Sequence, residues 1–348
     1  MSSSRPLPPL SSTARDRSGA RWGWLRPTVG LLAGGGLFWL AVREVAWGDM
    51  VAVLARARWG WLVLAWLAIL VAPLVKGLRW RFLLAAHPAR PGWLRLTAIF
   101  AVGQLANVVI PARAGELTRS YLAGRGVPGG FGLVLGTILV EKVLDGLALL
   151  AIAGALALRM ALPGWFGTAA WSFAATLGLL AAGVLMLAFG RTSLARWTGR
   201  LPARLRRLAE AGLDGVGALR GRGVLVPALL ATVGVWLLGL GCNYVLFLAL
   251  GLPARASAAL LLLVVHYLAV LIPGVPAQVG LFHYVTVLAL EVFAVGADLA
   301  MPYAVVLHGL IYGTIIAGGA LAAPALSVRF GELASHVAAT AERPEEAA

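Results

Sequence analysis
Apolar residues in this chain come in long runs rather than in amphipathic stripes, approximately 27–46, 59–76, 94–110, 131–158, 165–190, 224–250, 257–272, 277–295 and 302–324. A hydrocarbon core about 30 Å thick takes roughly 20 apolar residues per helix, so these eight to nine segments predict an all-α polytopic membrane protein. The third and seventh runs are short and end at proline, in Val109-Ile110-Pro111 and Leu271-Ile272-Pro273. Each is followed by a glycine-containing polar turn, 112–115 and 274–280, and then by a second helical piece, 116–124 and 281–295. Each unit therefore predicts a re-entrant helical hairpin, with Pro111 and Gly115 at one tip and Pro273, Gly274 and Gly280 at the other. Irregular backbone at membrane depth persists only where protein or a polar cavity surrounds it, so the tips are expected to mark a functional cavity.

With the hairpins set aside, the first, second, fourth, fifth, sixth and last runs predict about six spanning helices. The second then enters from outside and the sixth from inside. Two halves of opposite orientation, about 59–190 and 224–324, follow, which is the inverted-repeat plan of many transporters. Between them, 191–223 carries eight arginines and places this linker in the cytoplasm. Leu205, Leu208, Gly212, Leu213, Val216 and Leu219 recur there at helical spacing, predicting a basic amphipathic helix on the anionic inner leaflet, with a solvated linker as the alternative. The segment 1–26 reads as a disordered basic cytoplasmic tail ahead of an uncleaved first helix, and 325–348 as a cytoplasmic tail. Arg113, Arg119 and Arg125 put the first hairpin's mouth inside, whereas the second has neither Arg nor Lys and opens outward. Arg43, Arg56 and Arg58 in the supposed outer loop run against that scheme, partly offset by Glu44 and Asp49.

Composition agrees with the pattern: 60% of the 348 residues are hydrophobic, 12% are charged and mean hydropathy is +0.88. The net charge of +15 comes from arginines in short loops beside apolar runs, not from a soluble basic face, which argues against nucleic acid. Cys242 is the single cysteine, so neither a disulfide framework nor a cysteine metal cluster can form. The two lysines, Lys76 and Lys142, follow no GxxxxGK pattern, which excludes an ATP-driven pump built from this chain alone. No GxSxG elbow is present, so no catalytic residue is assigned and the chain is expected not to be an enzyme.

Candidate chemistry lies in the polar residues inside the apolar runs. Glu141, Lys142 and Asp145 stand within the fourth run, where each ionised group costs about 2.5–3.5 kcal/mol at the helix centre. Glu141 and Asp145 share a helix face, and Lys142 is spaced to pair with Asp145. Glu116, three residues from both Arg113 and Arg119, is spaced to pair on the returning helix. Gln104 and Asn107 precede them, with amides that need partners in a bilayer. The second half offers His266, Gln278, His283, Glu291 and His308. No HExxH or comparable spacing is present, so no metal site is assigned, and a proton relay fits the histidines better. Against each of these stand plainer readings: a self-neutralised interfacial cluster, a solvated loop, and histidines bonded to neighbouring helices.

Leu78-Arg79-Trp80-Arg81, the segment from Asn107 to Arg119 reading NVVIPARAGELTR, Glu141-Lys142 with Asp145, and the late proline–glycine hairpin together carry a family signature. Over roughly 27–324 the chain resembles the lysylphosphatidylglycerol synthase transmembrane-region family, the flippase-like domain family; Pro111 to Arg119 is the most specific piece. The resemblance implies a membrane domain, found alone or fused to enzymes that modify lipids or sugars, whose best understood role is moving a modified lipid between leaflets. With no aminoacyltransferase domain in this chain, it implies translocation rather than lysine transfer. Lys142 stands where the family has arginine, His283 where its second hairpin ends in glutamate, and His308 where its last helix has arginine. These exchanges imply an altered substrate or a pH-sensitive contact.

The resulting expectation is transport of a polar or charged lipid (a phospholipid, an aminoacylated lipid or a lipid-linked sugar) through a groove lined by two hairpins in the inner membrane. Both termini would be cytoplasmic, and neither cofactor nor metal is assigned. Asn107, Arg113, Glu116, Arg119, Glu141, Lys142, Asp145, Gln278, His283 and His308 would meet an anionic or phosphate-bearing headgroup, with a lipid- or sugar-modifying enzyme as a possible partner. The rivals are a membrane-embedded transferase, or a subunit of one, with an acidic base, and a membrane scaffold.

Overall fold
The computed structural model describes residue 39 and residues 52–85, 90–109, 114–127, 129–189, 202–217, 222–271 and 276–328. Among them every regular element is helical: α1 (Trp59–Leu83), α2 (Trp93–Val109), α3 (Gly115–Gly124), α4 (Gly130–Arg159), α5 (Gly164–Phe189), α6 (Ala203–Val216), α7 (Arg222–Leu250), α8 (Ala256–Leu271), a 3-10 turn (Pro276–Gln278), α9 (Leu281–Glu291) and α10 (Ala297–Ala325). The first predicted span apart from Trp39, the segment 1–26 and the tail beyond residue 328 lie outside the described residues, as do Pro111, Arg113, Pro273 and Gly274.

Among the described residues four helices are long and apolar enough to cross a bilayer: α1, α5, α7 and α10. Their outer faces expose Trp66 and Leu67 on α1, Leu179 on α5, Leu230 and Leu237 on α7 and Leu321 on α10, side chains that water would not tolerate in such density. Helix α4 has 30 residues, about 45 Å at 1.5 Å per residue, and carries Glu141, Lys142 and Asp145 near its middle. The two runs that end at proline form the short apolar helices α2 and α8.

Long helix, short pair, long helix occurs twice along the chain. Helices α1 and α7 pack along each other; α2 packs on α3, and α8 on α9. Each short pair then reaches across, α2 to α10 and α8 to α4. The apolar core of the second half is threaded by one polar staple. Tyr303 donates its hydroxyl to Asn243 Oδ1 at 3.0 Å, and Asn243 Nδ2 donates to the Ala259 carbonyl at 3.2 Å, joining α10, α7 and α8.

Helix α6 lies across α4, where Gly136 meets the Gly212 carbonyl and Gly215 meets the Leu133 carbonyl so closely that no Cβ fits at either glycine. Leu213 and Val216 are buried in this contact while Arg206, Arg207 and Glu210 stay exposed. The predicted amphipathic helix is therefore present, and its small-residue side is spent on α4.

That crossing makes a stability prediction. Gly136→Val is expected to destabilise the protein by about 1–3 kcal/mol through overpacking. Gly154→Val on the same helix, where a Cβ meets nothing within 4 Å, is expected to leave thermal unfolding in detergent unchanged.

Candidate functional site
The polar residues of the first half converge on Arg79, near the C-terminal end of α1. Its side chain is fully buried, and its guanidinium engages both carboxylate oxygens of Asp145 on α4, with Nη2 3.0 Å from Oδ2. Nη2 also lies 3.2 Å from Glu141 Oε1, one turn earlier on α4. Nη1 donates to Thr232 Oγ1 on α7 at 3.2 Å; the Thr232 hydroxyl hydrogen is committed to the Ala228 carbonyl, so the oxygen is free to accept. One side chain thus ties three long helices together.

Arg119 on α3 takes the rest of Glu141. Its Nη1 and Nη2 approach Oε1 and Oε2 at 3.3 and 2.7 Å, a fork-on-fork pair matched to guanidinium geometry. Its guanidinium carbon stands 4.4 Å from the Trp80 ring centroid and 4.8 Å from that of Phe100, so two aromatic faces hold the cation in place. The Trp80 indole is in turn fixed by donating to Thr137 Oγ1 at 3.1 Å. At the rim, Lys142 Nζ meets Glu116 Oε1 at 2.9 Å, with side chains 41% and 30% exposed, which marks the open side of the network.

These pairings correct the local ones expected from spacing. Lys142 binds Glu116 rather than Asp145, and Arg119 binds Glu141 rather than Glu116. Neighbours three residues apart on one helix meet on its surface, whereas partners on a facing helix meet in the dry space between helices, where a charge most needs them. Asn107 serves the hairpin itself: its Oδ1 accepts the Gly115 N–H at 2.7 Å, and Gly115 packs so tightly on the Gly103 carbonyl that a Cβ is excluded.

The second half gathers His266 on α8, Phe282 and His283 on α9, and His308 and Tyr312 on α10. His266 stacks on Phe282 at 4.0 Å between centroids, His283 lies 4.9 Å from His308, and His308 stacks on Tyr312 at 4.3 Å. Thr286 donates its hydroxyl to the Phe282 carbonyl, so its oxygen accepts from His266 and places the imidazole hydrogen on Nε2. His308 Nε2 donates to the Ala277 carbonyl at 2.9 Å, holding a turn in which Ala277 and Gln278 are both left-handed, at φ 47° and 58°. Gln278 is buried there, and its Oε1 accepts no hydrogen bond among the described residues. Helix α8 connects the two clusters: His266 belongs to the aromatic one, and the helix packs on α4, which carries Glu141 and Asp145.

Of the residues singled out in the sequence, the structure brings Glu116, Arg119, Glu141, Lys142 and Asp145 together in one region, and His283 and His308 in another. Sequence reasoning passed over Arg79 and Lys76 as site residues and missed Thr232. The signal was available for the first two, because cations at i and i+3 inside an apolar run are themselves the mark of a buried polar site. Thr232 gave no signal, since hydroxyls are common in spanning helices and satisfy themselves on their own backbone.

Stacked long apolar helices around a buried ionic network define a multi-pass membrane protein with an internal polar site. The chain matches the family described as lysylphosphatidylglycerol synthase TM region over residues 28–319, and it belongs to that family. It is also similar to a UPF0104 membrane protein of Methanothermobacter thermautotrophicus, 24% identical over 297 residues, which cover 74% of this chain and 81% of the relative.

The network makes a second prediction. Arg79→Met leaves Asp145 uncompensated and is expected to cost about 3–5 kcal/mol, whereas adding Asp145→Leu recovers much of that loss. Thermal unfolding in detergent of the two single variants and the double variant measures the coupling.

Proposed function
We propose that this protein moves a polar or charged membrane lipid between leaflets, its headgroup passing along a groove between the two short helical pairs while its tails stay in hydrocarbon. The observation that carries this reading is the ionic network of Arg79, Arg119, Glu141 and Asp145, buried among apolar helices and opening to the outside at Lys142 and Glu116. Charges cost too much inside a bilayer to be kept for packing alone, and intramembrane ionisable groups mark pathways for polar cargo. Membership of a family of membrane domains linked to a lipid synthase points to the same class of cargo.

In this reading α2–α3 and α8–α9 are re-entrant hairpins. The crosswise contacts of each with the long helix that follows the other pair, α2 with α10 and α8 with α4, support an inverted repeat in which the halves rock about the α1–α7 pair. Arg119 and Arg79 hold Glu141 and Asp145 in fixed orientation, and Lys142 and Glu116 at the rim exchange their mutual pair for the headgroup. Arg113, three residues before Glu116 in the sequence, would add a donor for phosphate. The protein sits in the inner membrane with both termini cytoplasmic, and it needs no chemistry on the lipid.

Purified protein in vesicles carrying a tail-labelled fluorescent phospholipid tests this. Wild type is expected to expose the inner-leaflet label to an external bleaching agent, and Glu116→Gln to slow that exposure by about tenfold. Protection of half the label by wild type overturns transport. A new lipid species in the same vesicles, detected by mass spectrometry, puts the transferase reading in its place.

A further inference from the structure
We propose that Lys76 is a headgroup contact that makes this groove select a lipid phosphodiester of net negative charge over one whose headgroup is net cationic. The inference rests on the transport reading above and deepens it by naming the charge of the cargo.

It begins from the charge balance of the network. Glu116 is committed to Lys142, Glu141 to Arg119 and Arg79, and Asp145 to Arg79. Lys76 lies one helical turn before Arg79 on α1, yet among the described residues no carboxylate oxygen comes within 4.0 Å of its ammonium. The described cations Lys76, Arg79, Arg119 and Lys142 therefore outnumber the carboxylates Glu116, Glu141 and Asp145 by one. What faces the ammonium is the ring of Phe100, whose centroid is 5.4 Å away, and the same ring stands 4.8 Å from the guanidinium carbon of Arg119.

Hydrocarbon makes an excess charge expensive, and a single phenylalanine face returns only a small part of the lost hydration. Lys76 is half-buried, so it is reachable from outside the helix core. The missing negative charge can therefore come from a ligand. A phosphodiester resting by Phe100, with Lys76 and Arg119 both against that ring, neutralises the site. A headgroup carrying an added amino acid brings positive charge to a region that already holds one cation too many. The compact ammonium acts here as a point charge, so arginine can replace it while a neutral residue cannot.

The full chain, purified in mild detergent and exposed to an equimolar mixture of phosphatidylglycerol, phosphatidylethanolamine and lysyl-phosphatidylglycerol, would be examined by native mass spectrometry. Wild type is expected to retain phosphatidylglycerol over the lysyl form by about tenfold, Lys76→Arg to keep that preference, and Lys76→Gln to bring it close to parity. Lys76→Met, which keeps the apolar stem, repeats the test if the glutamine variant does not fold. Equal retention by wild type, or a preference untouched by Lys76→Gln, overturns the role of Lys76. Loss of bound lipid on adding excess inorganic phosphate overturns the lipid source of the anion. Leaflet exchange measured in vesicles is a separate readout, so failure of this selectivity leaves the transport reading standing, whereas failure of exchange with selectivity intact removes transport and leaves a lipid-binding site.

Discussion
A charge placed between apolar helices must find its partner there, and Arg79 is where that constraint shapes the protein. Its bidentate hold on Asp145, its contact with Glu141 and its bond to Thr232 fix α1 against α4 and α7 at one depth. The next charge follows from it. Glu141 has a second oxygen to satisfy, Arg119 fills that need, and α3 is drawn against α4 by the same pair. Each partner removed leaves a buried charge bare, so the network is tolerable in hydrocarbon only when complete. This is why residues from four helices that are far apart in sequence meet at one depth.

The second half solves the same problem without charge. Tyr303, Asn243 and the Ala259 carbonyl form a neutral chain of hydrogen bonds, and the histidines pack by stacking on Phe282 and Tyr312. The two short helical pairs are consequently secured in different ways. The first is closed by Asn107 bonding the Gly115 amide and by the arginine on its returning helix; the second is held at its turn by His308 bonding the Ala277 carbonyl. The polar character of the two sides of the proposed groove thus differs, ionic on one and aromatic on the other.

Close backbone approach supplies the remaining order. Where lipid rather than water surrounds the helices, burial of apolar area gives little drive for association, and small residues that let backbones touch take over. Gly103 with Gly115 and Gly136 with Gly212 are such points, one setting the hairpin and the other docking α6 beside the charged stretch of α4. The outer faces of α1, α5, α7 and α10 are left for lipid, which accounts for their exposed leucine and tryptophan side chains.

The sequence by itself determined the helical class, the long runs that became α1, α4, α5, α7 and α10, and the short ones ending at proline that became α2 and α8, because helix length in a bilayer is set by its thickness. It also singled out Glu141, Lys142 and Asp145, since ionisable residues stand out against an apolar run. It could not assign their partners. Spacing along one helix points to neighbours three or four residues away, whereas the pairs that formed join Arg79 to Asp145 across 66 positions and Arg119 to Glu141 across 22. Nor could it show that Asn107 would close its own hairpin, or that α6 would lie on α4. Those choices depend on which helix faces come together, and only the tertiary structure decides which polar group is near enough to repay the cost of a buried charge.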